Sequence, residues 1–159
     1  MTDAEFRLAA EQYGDMVFRL AYSYTRSRAD AEDVMQETLL KLYAAKKPFA
    51  SPEHRRNWVV RVAVNECKRL LRAPWRLRTE PLEEAAEAAA WDAPSQSELF
   101  RQVMALPPKY RAAIYLHYYE GYTVVEIAAL MGAKISTVQT WLLRARGQLK
   151  LKLKEAEGQ

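Results

Sequence analysis

Cysteine, glycine and long apolar runs are scarce in this sequence. A single cysteine, Cys67, among 159 residues excludes an internal disulfide framework and suits a reducing compartment. The two histidines, His54 and His117, form no ligand spacing with it, so no metal site is expected. Five glycines and seven prolines are too few for an all-β chain that turns every ~10 residues. No glycine-rich phosphate loop is present, the two histidines lie far apart and Cys67 has no obvious base beside it, so neither a cofactor nor a catalytic residue is expected. No run approaches the ~18 apolar residues of a membrane span. The acidic start, Met1-Thr2-Asp3-Ala4-Glu5, lacks the basic and apolar regions of a signal peptide. A cytoplasmic protein is expected.

Charge is present, and it is segregated. The formal total of +4 is the sum of three blocks: +3 over residues 1–72, −3 over 73–96 and +4 over 97–159. The acidic block also carries Pro74, Pro81 and Pro94, with Ala-rich sequence between them. It reads as a tether with at most a turn or two of helix, with Trp75 and Trp91 free to lie on a neighbour or on their own domain. The expectation is an all-α fold: two small helical domains, 1–72 and 97–159, joined by a flexible linker, 73–96.

Helical periodicity runs through both basic blocks. Phe6, Ala10, Tyr13, Val17, Leu20 and Tyr24 recur at steps of three and four, which predicts a first helix with one buried face. Asp30 is the expected cap of a second helix, with Asp33 in its first turn. Ala31, Val34, Met35, Leu39, Leu42 and Tyr43 form its apolar side, and Lys46-Lys47-Pro48 its end. Ser51-Pro52 starts a third helix over 52–72: a capping hydroxyl, then proline where no N–H is needed. Between His54 and Arg72 that helix carries Arg55, Arg56, Arg61, Lys68, Arg69 and Arg72 against one acid, Glu66. Such a face is either simply solvated or meets a polyanion.

The second block begins with a helix near 95–105, started by Ser95 or Ser97, and a second over 108–120. Thr123-Val124-Val125-Glu126 is a capping box. A short helix follows, with Ile127, Ala128 and Met131 inward. Gly132 then stands where a left-handed turn is needed. A longer helix starts near Ile135, with Val138, Leu142, Ala145 and Leu149 inward. This is the helix-turn-helix pattern. From Lys134 to Lys154 six basic residues (Lys134, Arg144, Arg146, Lys150, Lys152, Lys154) meet no acid. Short polar side chains at the helix start (Ser136, Thr137, Gln139, Thr140) suit base edges, and Arg144 and Arg146 suit phosphates. The plainer alternative is a helical hairpin with a basic tail.

These motifs in this order resemble the extracytoplasmic-function (ECF) sigma factors of bacterial RNA polymerase. Leu106-Pro107-Pro108-Lys109-Tyr110-Arg111, Tyr119 to Ala128, and Thr137-Val138 with Arg144-Ala145-Arg146 are similar to the family's C-terminal promoter-binding domain. Asp30 to Thr38 resembles its core-polymerase-binding helix, and Trp58 to Asn65 its promoter-melting helix. The resemblance implies an initiation factor that joins core RNA polymerase and directs it to promoters. Asp33, Gln36 and Glu37 would meet a basic coiled coil of the polymerase. Arg55, Arg56, Arg61, Asn65, Lys68 and Arg69 would hold the melted −10 strand. Ser136, Thr137, Gln139, Thr140, Arg144 and Arg146 would read the −35 element as duplex. Leu106 to Tyr122 would dock on the polymerase flap, and the linker would thread the polymerase interior. An anti-sigma factor is a further partner the family implies. For Asn65 two roles stay open, reading a flipped base or a hydrogen bond along its own helix. Trp58 fits that strand-holding surface as a stacking aromatic, but it shares a face with Val62 and reads as core. One departure stands out: relatives commonly carry Lys and Arg where this chain has Gln139 and Trp141, so its −35 element should differ from theirs. The alternative function is a stand-alone helix-turn-helix regulator. It would leave the acidic helix near 30–37 and the basic helix 54–72 without a role.

Overall fold

The computed structural model describes residues 2–46, 48–73 and 98–157, with the backbone alone for residue 98 and for 150–157. The linker reading, Trp75, Trp91, the Ser95 or Ser97 cap, Lys47 and the side chains of Lys150, Lys152 and Lys154 lie outside the described residues. Every described regular element is helical, and among the described residues no helix is long and apolar enough to cross a membrane. The chain divides into two compact units, Met1–Pro81 and Leu82–Gln159.

Three helices make the first unit: α1 (Asp3–Thr25), α2 (Arg28–Ala44) and α3 (Pro52–Arg72), each packed on the other two. α1 opens on a reciprocal capping box: Glu5 N–H donates to Thr2 Oγ1, and Thr2 N–H to the Glu5 carboxylate. It stops at Arg26, a non-glycine residue at φ 57° whose N–H returns to the Tyr22 carbonyl. That one left-handed residue completes the turn early. Ser27, not Asp30, therefore caps α2, accepting from the Asp30 N–H at 3.2 Å. Asp30 falls within the first turn, still facing the positive end of the helix dipole, and Asp33 moves into the second. Ser51 caps α3 through the His54 N–H, with Pro52 first in the helix as its sequence predicts.

The core joins Ala9, Tyr13, Val17, Leu20, Ala21 and Tyr24 to Val34 and Leu42 and to Val59, Val60, Ala63, Val64 and Cys67. Two members of the expected α2 stripe fall outside it. Met35 is half-buried, and Tyr43 is exposed, held by an edge-on contact with Phe6 and a hydroxyl bond to Asp3. Thr38 takes the buried position instead.

In the second unit α4 (Glu98–Met104) and α5 (Pro108–Ile114) precede α6 (Val124–Met131) and α7 (Ile135–Glu157). α7 is the spine on which the other three pack. The single helix expected over 108–120 changes pitch: residues Tyr115–Tyr119 form a π turn, a widening common at functional sites. Side-chain contacts run along it. Tyr115 and Tyr119 stack at 5.2 Å, the Tyr115 hydroxyl donates to Glu120 at 2.8 Å, and His117 Nδ1 meets the Tyr122 carbonyl at 2.8 Å. Gly121, at φ 76°, ends the turn.

Candidate nucleic-acid interface

The Thr123–Glu126 capping box is present in both directions. Gly132 is left-handed at φ 66°, a conformation that costs other residues roughly 1 kcal/mol or more. Its N–H and that of Ala133 both return to the Ala128 carbonyl, so α6 ends in a tight turn and α7 begins three residues later. Ile127, Ala128 and Met131 of α6 and Val138, Leu142 and Ala145 of α7 are buried as their spacing predicts, while Leu149 is half-buried.

At ~100° per residue, the side of α7 opposite that core carries Ser136, Thr140, Leu143 and Gly147, with Gln139 and Arg146 on one flank and Thr137, Trp141 and Arg144 on the other. Ser136, Gln139, Arg144 and Arg146 are exposed, and Thr137 and Thr140 half-buried. The Thr140 hydroxyl donates to the Ser136 carbonyl at 3.0 Å. Each flank is tied to α5 and its π turn. Arg146 donates to the Tyr118 hydroxyl at 2.8 Å, and Lys109 Nζ lies 5.9 Å from the centre of the Trp141 ring, within cation–π range. Trp141 therefore packs beside a cation that comes from another helix. Neither tie is visible in the sequence, because each joins residues about thirty positions apart.

A second charged face lies on α3. Arg61, Asn65, Lys68 and Arg72 follow at steps of four, three and four along its outer side; Arg61, Asn65 and Arg72 are exposed and Lys68 half-buried. Arg55 and Arg56 do not share that stripe. Arg55 is turned toward α1, donating to the Tyr13 hydroxyl at 3.0 Å and to Gln12 at 3.2 Å. Arg69 donates twice to Glu66, at 3.1 and 3.0 Å. Trp58 is half-buried rather than core, edge-on to Phe49 at 5.4 Å, and Phe49 in turn meets the His54 ring. The shared face with Val62 was a poor guide because Val62 is itself only half-buried. Cys67 is fully buried, and burial pushes its thiol pKa up, as for an inert packing residue.

Glu66, the one acid of the basic run, is buried and joins α2 to α3 by accepting from Lys41 as well as Arg69. Burial pushes its carboxyl pKa up, but the hydrogen bonds and charges of Lys41 and Arg69 outweigh burial and hold it below the ordinary glutamate value. A lowered native pKa stabilises the fold above the unfolded pKa and loses that contribution as pH falls through the native one. Glu66→Gln should therefore destabilise the first unit by about 1–2 kcal/mol at pH 7, a modest loss because solvent reaches both cations, 48% and 64% exposed at Lys41 and Arg69. Urea unfolding followed by Trp58 fluorescence checks this. The gap between variant and parent should close progressively as pH falls through the lowered native pKa of Glu66, below which the carboxyl is protonated in both states.

On α2, Asp33 and Gln36 are exposed and Glu37 half-buried, all outside the packed stripe of Ala31, Val34 and Leu42. An exposed Arg28–Glu32 ion pair lies in the preceding turns.

Comparison with known proteins covers nearly the whole chain. The family model described as Sigma-70 region 2 matches residues 9–77, and that of Sigma-70, region 4 matches residues 96–149. The chain is 30% identical to the ECF RNA polymerase sigma factor SigE of Mycolicibacterium smegmatis, over 87% of this chain and 58% of that protein. It is also 30% identical to the ECF RNA polymerase sigma-E factor of Escherichia coli, over 89% of this chain and 82% of that protein. The chain thus spans little more than half of the first relative and most of the second. Among solved structures, the sigma factor RpoE in complex with the anti-sigma factor NepR, from Bartonella quintana, has a similar fold. Its TM-score is 0.70 at 22% identity, covering 94% of this chain and 97% of that one. CnrH in complex with the cytosolic domain of CnrY gives 0.63 at 23% identity, covering 97% and 90%.

Proposed function

The chain belongs to the ECF RNA polymerase sigma factors of the sigma-70 family, and from that membership we propose how its residues divide the work of a transcription initiation factor acting through RNA polymerase. Residues 1–72 bind core polymerase and the melted −10 strand. Asp33, Gln36 and Glu37 engage the polymerase from the outer side of α2. Arg61 and Lys68 follow the strand's phosphates, and Asn65 between them offers an amide to an unpaired base edge. Trp58, in its cluster with Phe49 and His54, borders that face as a stacking surface. Arg55, Arg56 and Arg69 add positive potential. Residues 97–159 read the −35 duplex through α7, and the acidic segment 73–96 tethers the two. Promoter and polymerase place the work in the cytoplasm. It requires no catalytic chemistry from this chain, since bond formation belongs to the polymerase. The two solved structures named above are complexes, one with a protein named as an anti-sigma factor; a protein partner of that kind is proposed here too.

The observation that carries the −35 assignment is the division of α7. Val138, Leu142 and Ala145 are buried on one side, and Ser136, Gln139, Arg144 and Arg146 are exposed around the other. Replacing Arg144 and Arg146 by Ala should weaken duplex binding by tenfold or more at physiological salt, for all sequences alike. Each lost phosphate contact should lower the slope of log affinity against log salt by about 0.9. An unchanged slope in a salt titration of the full chain would contradict groove docking.

A further inference from the structure

We infer that Leu143 is a specificity-determining residue that reads the 5-methyl group of a thymine in the −35 duplex; this rests on the proposed role of α7 as the major-groove helix. Leu143 is 66% exposed, among the most open large apolar residues of the protein. A single exposed leucine is ordinary on a protein surface, but the position of this one is not. It lies with Ser136 and Thr140 on the side of the helix away from the buried Val138 and Ala145, with Arg144 and Arg146 to either side. Cationic flanks select a polyanion rather than an apolar protein surface, and within a duplex the thymine methyl is the apolar group that the major groove displays. Leu143 stands eight residues into α7, about 12 Å from its start, a distance comparable to the width of the groove.

A second observation points the same way. Gly147, one turn beyond Leu143 on the same side, lies within a helix, where glycine costs about 1 kcal/mol relative to alanine. A Cβ built there would meet nothing within 4 Å, so nothing inside the protein requires glycine at this position. A residue without a side chain lets the helix backbone approach an outside surface closely, which seats Leu143 deeper in the groove.

The test uses holoenzyme formed from the full chain and core polymerase, on promoters it selects from a random duplex library. Each thymine of the selected −35 element is replaced in turn by deoxyuridine, which removes only the methyl. At one position the parent should lose about fourfold in affinity, the value of one buried methyl-sized group. Leu143→Ala should bind the thymine duplex about as weakly as the parent binds the uracil one, and should lose nothing further on methyl removal. Leu143→Met should retain the methyl preference. A selected element with no thymine, a parent indifferent to every replacement, or a Leu143→Ala variant that keeps the full penalty would each overturn the inference. So would a Leu143→Ala defect confined to polymerase binding, which would mark a protein contact. Failure to select any promoter would instead remove the sigma reading itself, and this one with it.

Discussion

Reversing the charge at Asp33 and truncating Gln36 (Asp33→Arg with Gln36→Ala) is expected to lower the affinity of the full chain for core RNA polymerase by a hundredfold or more. Both side chains are exposed on the outer face of α2 and neither belongs to the packed stripe of Ala31, Val34 and Leu42. Neither substitution therefore removes a packing contact of the unit. Placing a like charge against a basic partner costs several kcal/mol at a close contact, and each 1.4 kcal/mol is tenfold in affinity. The fold supplies its own control. α2 is held by Leu39 and Leu42 and by the Lys41–Glu66 pair, none of which the substitutions touch, so hydrogen-exchange protection of α1 to α3 should be unchanged. Equilibrium titration of labelled variant against purified core polymerase measures the effect. A loss below threefold would place the polymerase contact elsewhere.

Arg111→Ala should unfold the second unit locally and remove duplex recognition, for a reason that has nothing to do with DNA. Arg111 is 3% exposed, and its guanidinium donates to the Leu106 carbonyl across the turn into α5. Pro107 and Pro108 contribute no N–H to that turn, so a side chain must satisfy what the backbone does not. Truncation leaves a cavity and a buried carbonyl without its donor, together costing about 3–5 kcal/mol. A unit of roughly 60 residues has a total stability of about 3–9 kcal/mol, so the loss is most of what holds it. Hydrogen exchange on the full chain should show α6 and α7 losing protection while α1 to α3 keep theirs. Arg111→Lys should not rescue, because an ammonium lacks the planar fork of the guanidinium. Retained protection in α7 would refute the structural role.

Arg111 also marks the boundary of what the sequence discloses. Local signals were legible: the Ser51-Pro52 start, the Thr123–Glu126 box, left-handed Gly132 and the buried faces of α6 and α7 all follow from spacing and cap chemistry within a few residues. What depended on distant partners was not. Nothing in the residues next to Arg111 marks it for burial, and only the fold buries it. Arg55 and Arg69 likewise read as members of one cationic face, yet Tyr13 and Glu66 draw them into the unit. The α2 cap falls at Ser27 rather than Asp30 because Arg26 takes the left-handed region, for which arginine, unlike glycine, carries no sequence signature. The π turn at Tyr115–Tyr119 leaves no mark in the sequence, because the 3.6-residue period of the flanking helix continues through the same aromatic residues. For the interface residues, the pattern of charge and polarity in α7 was readable, whereas the Tyr118–Arg146 and Lys109–Trp141 ties were not.

The most direct test of a sigma factor that uses both units is promoter-dependent initiation by purified core polymerase. The full chain, core enzyme and a random promoter library should give runoff transcripts that start at discrete positions and share two upstream elements. They should be absent without the chain and strongly reduced with Asp33→Arg/Gln36→Ala or with Arg144→Ala/Arg146→Ala. Transcripts no more frequent or better positioned than those made with an unrelated basic protein would contradict it.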